Sequence, residues 1–85
     1  MYTLDYSETA VKQLKKLQNN VQERILIALE RLRIRPKSCD IKKLVEIKGY
    51  RFRVGDYRVI FEMEEEKLLI LVIKIGHRKN IYDNH

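Results

Sequence analysis

The residues of this sequence whose types and spacing could do chemistry are arginines and one tyrosine. Arg51, Arg53 and Arg58 fall inside "GYRFRVGDYRVIF", residues 49–61. That segment alternates aromatic or aliphatic residues with arginine, turns at Gly55-Asp56, and alternates again. Arg78 and Tyr82 follow in "GHRKNIY", with His77 and Lys79 on either side of the arginine. A guanidinium is planar, always charged and able to grip a phosphate through two donors. Cations gathered around a phosphate suit cleavage of RNA by its own 2′-hydroxyl. The protein would hold the strand in line for attack and stabilise the charge that builds on the phosphorane. A base for the hydroxyl and an acid for the leaving oxygen would help. Arginine's pKa is too high for the base, which leaves Tyr82 and His77 as the nearby candidates. No spacing reads as a metal site, a Ser-His-Asp set or a glycine-rich phosphate loop, so neither metal nor cofactor is expected.

The elements around these residues decide whether they meet. A two-residue hairpin at Gly55-Asp56 pairs Val54 with Tyr57. Opposed residues share a face and faces alternate along each strand. Tyr50, Phe52, Val54, Tyr57, Val59 and Phe61 then lie on one side. Arg51, Arg53, Arg58 and Ile60 lie on the other, with Arg53 opposite Arg58. Like charges directly opposite destabilise a strand pair, and an anion between them would explain the choice. A plain solvated face explains it too, because the outer side of an antiparallel sheet is usually polar. The tail favours the anion, since a basic cluster beside a tyrosine is the makeup of a single-strand RNA site. Set against that, Tyr82 could pack on a sheet edge and His77 could be a loop histidine without a task.

The rest of the chain reads as a frame for that hairpin. "YTLDY" alternates Tyr2, Leu4 and Tyr6 against polar residues, a short strand pattern. Ser7 stands at an N-cap with Glu8 in the first turn. Ala10, Val11, Leu14 and Leu17 share one face of the helix that follows, which "QNN" breaks. A second helix runs from about Val21, with Ile25, Ala28, Leu29 and Leu32 as its buried stripe, and stops before Pro36. The spacing then changes to alternation. "IKKLVEI" (residues 41–47) is expected to be a strand closed by Gly49. "YRFRV", "YRVIFEM" and "KLLILVIKI" are three more, the last apolar enough for a central position covered on both faces. The sum is an α+β domain spanning residues 1–85: an N-terminal strand, then an antiparallel helical hairpin on one face of a three- to four-stranded antiparallel sheet.

Bulk properties narrow the partners. The formal charge is +6 over 85 residues, and a positive surface attracts nucleic acid, anionic membrane or acidic protein. The lysines of the first helix and the run "RLRIRPK" add to that field as solvated flanks. A single cysteine, Cys39, forms no internal disulfide and favours a reducing cytosol. "MYTLDYSETA" is no signal peptide, and "LLILVI" is far too short to span a bilayer; no membrane role is expected.

With those residues in place, the chain resembles the RelE branch of the RelE/ParE toxin superfamily, the toxins of bacterial and archaeal toxin–antitoxin modules. The run "KKLVEIKGYRFRVGDYRVIFEMEEEKLLILVIKIGHRKNIYD" carries the likeness, above all the arginine hairpin and the "GHRKNIY" tail. The helix pair with its "LKKL" and Pro36 extend it over nearly the whole chain. The resemblance implies a ribosome-dependent mRNA endonuclease of the cytoplasm that cuts in the A site through the 2′-hydroxyl without metal. It implies contacts to 16S rRNA and a cognate RelB-like antitoxin that covers the basic face in a hetero-oligomer. By the same resemblance Arg51 and Arg53 are the basic residues of the third strand and Arg58 is the phosphate-binding arginine. Arg78 follows the last strand, Tyr82 stacks on the mRNA, and His77 and Lys79 are RNA contacts. Well-studied members carry lysines at the positions of Arg51 and Arg53. The alternative is a ParE-like inhibitor of DNA gyrase, which shares the hairpin and cuts nothing; a plain RNA-binding module is a third, weaker reading.

Overall fold

A computed structural model describes residues 1–45 and 47–81. The order is β1 (Thr3–Tyr6), α1 (Glu8–Lys15), α2 (Asn19–Ile34), a 3₁₀ turn (Pro36–Ser38), β2 (Ile41–Lys43), β3 (Tyr50–Val54), β4 (Tyr57–Glu64) and β5 (Leu69–His77). Both helices start and stop where local chemistry directs. Ser7 is extended and its hydroxyl accepts from the Ala10 N–H at 3.0 Å, which caps α1. The joint between the helices is closed by the Gln22 amide, which donates to the Leu17 carbonyl at 2.8 Å. Arg35, before Pro36, leaves the helical region at φ −141° and ψ 80° and ends α2.

The sheet differs from the expected one in two ways. It has five strands in the order β1-β5-β4-β3-β2, and β1 joins it parallel to β5, so it is mixed rather than antiparallel throughout. Alternation reveals that Tyr2–Tyr6 is a strand but not which edge it adopts. The expected strand over residues 41–47 also shortens to Ile41–Lys43. Beyond it the chain loops to Gly49, whose carbonyl accepts from the Leu44 N–H at 3.0 Å. Gly49 has φ +139°, and a Cβ there would stand 2.9 Å from the Phe61 carbonyl oxygen. Only glycine lets the loop press this close to β4.

The helix pair covers one face. Ile25, Leu29 and Leu32 from α2 and Ala10 from α1 meet Phe52, Val59, Phe61, Ile70, Val72 and Ile75, all buried. Tyr50 and Phe61 stack at 5.4 Å between centroids. Among the described residues the opposite face carries no helix, and there the arginines lie.

One irregularity sets which side chains reach that open face. Lys74 sits in an apolar run whose even positions, Ile70 and Val72, point into the core; regular alternation would bury it. A bulge prevents this. Ile60 pairs with Lys74 but Phe61 pairs with Val72, so Ile73 is the extra residue. Past the bulge the odd residues face inward: Ile75 fills the core, while Lys74 and Gly76 turn outward. Because β1 stops at Tyr6, opposite Val72, the outer edge of β5 beyond that point lacks a strand partner. Side chains from the α1 segment supply one: the Ser7 hydroxyl donates to the Ile73 carbonyl at 2.7 Å, and Gln13 Oε1 accepts from the Ile75 N–H at 2.7 Å. β5 is thus interior to the sheet, as its apolar run suggests, but Leu69 and Leu71 on the open side remain only half-buried. Replacing Ser7 by Ala removes both the helix cap and the donor to the bulge's Ile73 carbonyl. Urea denaturation of Ser7→Ala should show a loss of about 1–3 kcal/mol.

Candidate functional site

β3 and β4 pair as the two-residue turn dictates: Val54 with Tyr57, Arg53 with Arg58, Phe52 with Val59 and Arg51 with Ile60. Gly55 at φ +59° supplies the left-handed turn residue. The Arg53 N–H points away from β4, donating to the Asp40 carbonyl at 3.1 Å. Arg53 and Arg58 therefore form a non-hydrogen-bonded pair, in which Cα atoms approach to about 4.5 Å. Two permanent cations share the tightest spacing the sheet allows.

The chain relieves that repulsion by drawing the guanidinium groups apart. Arg53 Nε reaches outward to Asp40 Oδ2 at 2.7 Å. Arg58 curls toward the turn, where Nη1 donates to the carbonyls of Gly55 and Tyr57, each at 2.8 Å. Arg78 comes to the same end of the sheet. Its N–H donates to the Asp56 carbonyl at 2.8 Å and its Nε stands 3.8 Å from Asp56 Oδ1. Arg53, Arg58 and Arg78 thus gather around the Gly55 turn, with Arg51 one step inward.

Two donors on this face are removed from water and, among the described residues, find no acceptor: Nε of Arg51 and Nε of Arg58. A buried donor left unpaired costs about 1–3 kcal/mol. The surroundings account for the burial. Ile60, only 5% exposed although it lies on the open face, stands between Arg51, Arg58 and Lys74. Ile81 folds back at the end of the tail, its N–H donating to the His77 carbonyl at 3.0 Å, and is itself 7% exposed. It lies over Gly76, where an added Cβ would meet Ile81 Cδ1 at 3.3 Å. Gly76 is the cross-strand partner of Arg58. A glycine there opens the room into which Ile81 tucks beside that arginine.

The other expected residues fall as follows. His77 pairs with Tyr57, on the helix side of the sheet, and meets its ring edge-on at 5.4 Å. Its Nδ1 accepts from the Lys79 N–H at 3.2 Å. Arg78 and Lys79 are exposed. Tyr82 lies outside the described residues. Two cations that pattern reading passed over also lie on the arginine face: Lys42 pairs with Arg51, and Lys74 pairs with Ile60. Lys74 was visible in the sequence as a charge out of phase with an apolar run. The far end of the same face carries acids instead, with Glu62 opposite Leu71 and Glu64 opposite Leu69. The face is therefore polarised along the strands.

Such a fold and such a face match known proteins. A profile for the ParE toxin of the type II toxin-antitoxin system, parDE, covers residues 4–82. Toxin RelE3 of Methanocaldococcus jannaschii is 32% identical over 83 residues, which is 92% of this chain and 92% of that one. The chain belongs to the RelE/ParE toxin superfamily. Another relative in that superfamily, the mRNA interferase toxin RelE of Escherichia coli K12, is 28% identical over 92% of this chain and 84% of its own length. The archaeal RelE–RelB complex from Pyrococcus horikoshii holds a chain that superposes with a TM-score of 0.77 at 28% identity, covering 93% of this chain and 97% of that one. The expected RelE-like arrangement of strand, helix pair and sheet is thereby borne out, with the added strand and its parallel pairing as corrections.

If the arginines of this toxin served the fold, removing one would destabilise it. Arg53→Thr removes a like-charge pair worth about 0.2–1 kcal/mol against folding and an exposed ion pair worth a similar amount in favour. Chemical denaturation should place the variant within about 1 kcal/mol of the parent. A loss of several kcal/mol would make Arg53 a structural residue.

Proposed function

We propose that this chain is the toxin of a type II toxin–antitoxin module and that it cleaves mRNA, in the ribosomal A site, by attack of the RNA's own 2′-hydroxyl. The observation that carries the reading is the gathering of Arg51, Arg53, Arg58 and Arg78 at one end of the open sheet face, where the Nε donors of Arg51 and Arg58 find no acceptor among the described residues. Relatives named mRNA interferases supply the substrate class.

The residues divide the work by position. Arg58 is fixed by two carbonyls through Nη1, so its Nε and Nη2 keep one orientation. A preorganised donor in a partly dry site acts on developing charge without reorganising. In the proposed complex the scissile phosphate binds between Arg58 and Arg51, and Arg53 and Arg78 close over it from the solvent side. Charge spreading onto the non-bridging oxygens in the phosphorane strengthens each of these contacts, which lowers the barrier rather than merely tightening binding. Lys79 and the outer cations Lys42 and Lys74 hold flanking phosphates or 16S rRNA. Tyr82 stacks on a base. As the 2′-oxygen bonds to phosphorus the bond to the 5′-oxygen breaks. Tyr82 and His77 are the candidates to take the first proton and to supply one to the leaving oxygen, and His77, whose Nδ1 accepts from the Lys79 N–H, offers an Nε2–H donor. The reading extends to a reducing cytosol as the place of action and to an acidic RelB-like antitoxin. The RelE chains solved from Pyrococcus horikoshii and Methanococcus jannaschii are held in RelB complexes, and a partner covering the arginine face would silence it by occupying the same donors.

A gyrase-inhibiting reading remains attached to one observation, the ParE profile itself. The two separate cleanly. Arg58→Ala should lower cleavage of mRNA on translating ribosomes by about 10²-fold or more, while circular dichroism shows the fold retained. The parent chain should leave gyrase supercoiling untouched. Gyrase inhibition together with intact mRNA would replace the nuclease reading with the other.

A further inference from the structure

Two aspartates beside the arginine face have no place in a simple phosphate site. A carboxylate next to a bound anion weakens it, yet Asp40 and Asp56 each hold one of the two exposed arginines. In both pairs the arginine's backbone N–H donates to the aspartate's own carbonyl, while the side chains meet by a hydrogen bond in the first pair and by a looser ion pair in the second. The Arg53 N–H donates to the Asp40 carbonyl at 3.1 Å while its Nε meets Asp40 Oδ2 at 2.7 Å. The Arg78 N–H donates to the Asp56 carbonyl at 2.8 Å while its Nε faces Asp56 Oδ1 at 3.8 Å. The less exposed arginines are treated differently: Arg58 is tethered by backbone carbonyls, and Arg51 has no carboxylate within ion-pair distance among the described residues.

The division follows burial. Arg58 is half-buried and fixed by its walls. Arg53 and Arg78 have side chains 53% and 56% exposed, and among the described residues the aspartates are their ion-pair partners. A free arginine side chain carries rotamer entropy that it must surrender to act on a transition state. Asp40, bonded through Nε, removes much of that freedom in advance, and Asp56 restrains Arg78 more loosely by attraction at 3.8 Å. Contact through Nε also leaves the four N–H groups of the two terminal nitrogens for a phosphate.

We infer that Asp40 and Asp56 are positioning residues of the arginine site, holding Arg53 and Arg78 for the transition state at the expense of ground-state affinity for RNA. The inference rests on the mRNA-cleavage reading of this face. It sets two effects against each other. The fixed negative charge opposes the incoming polyanion, and the fixed geometry favours the reaction. Neutralising the aspartate therefore tightens binding and slows the chemistry, a combination that a merely stabilising ion pair does not produce.

The test uses Asp40→Asn and Asp56→Asn, which keep the backbone carbonyl and the side-chain shape. Binding is read with a single-stranded RNA carrying 2′-O-methyl groups, which cannot be cut, and turnover with mRNA on translating ribosomes. Each variant should bind the 2′-O-methyl RNA about two- to fivefold more tightly. Its kcat should fall about tenfold with the thermal midpoint unchanged. Asp40→Glu, which keeps the charge, should recover most of the lost kcat. Unchanged kcat in both Asn variants, or a fall in kcat accompanied by weaker binding, would overturn the inference. A parent chain that cuts no mRNA, or an Arg58→Ala variant that cuts as well as the parent, would instead overturn the cleavage reading beneath it.

Discussion

Two arginines stand side by side on this sheet because a two-residue turn admits no other register. With Gly55 in the left-handed region and Val54 paired to Tyr57, Arg53 must face Arg58. The aromatic residues that alternate with them are committed to the helix side, so slipping the pairing by one position would turn either Phe52 of β3 or Val59 and Phe61 of β4 onto the open face. The core thus enforces the charge pair. Much else on the open face answers it: Asp40 draws Arg53 outward, the Gly55 and Tyr57 carbonyls tether Arg58, and Asp56 brings Arg78 to the same end.

The second constraint is the phase of β5. Its apolar run would bury Lys74 and turn Gly76 inward if it alternated without a break. The bulge at Ile73 reverses the phase, and Ser7 and Gln13 make the reversal affordable by satisfying the exposed backbone groups. One consequence is the opening over Gly76 that Ile81 fills. That packing lies next to Arg58, the cross-strand partner of Gly76, whose buried Nε is a stronger donor than a surface guanidinium offers. The N-terminal segment, remote in sequence from the arginines, thereby shapes their environment.

The hairpin was the most legible part of the sequence. Its turn residues and strict alternation determine register and facing together, and so the positions of Arg51, Arg53 and Arg58. The helix pair was legible for a similar reason, since Ser7, Pro36 and the Ile25–Leu32 stripe are local signals. The parallel docking of β1 was not, because strand pairing is set by where the chain returns rather than by the strand's own pattern. β2 shortened because Gly49 pulls the preceding residues off the sheet edge, a tertiary contact with Phe61 that no pattern announces. The roles of Asp40 and Asp56 were hidden for the same reason: loop acids gain meaning only once the arginines they touch are placed. His77 was grouped with the cations by adjacency to Arg78, yet the bulge turns it to the Tyr57 side.

The central claim is that Arg51 and Arg58 keep their Nε donors for an RNA phosphate. The arginine Nε–H resonances report this directly by nuclear magnetic resonance. On addition of a 2′-O-methyl RNA, the Nε–H signals of Arg51 and Arg58 should shift and exchange more slowly with water, while that of Arg33, which donates to the Tyr2 carbonyl on the helix side, stays in place. Binding that leaves both signals unmoved and perturbs only surface lysines would contradict the account.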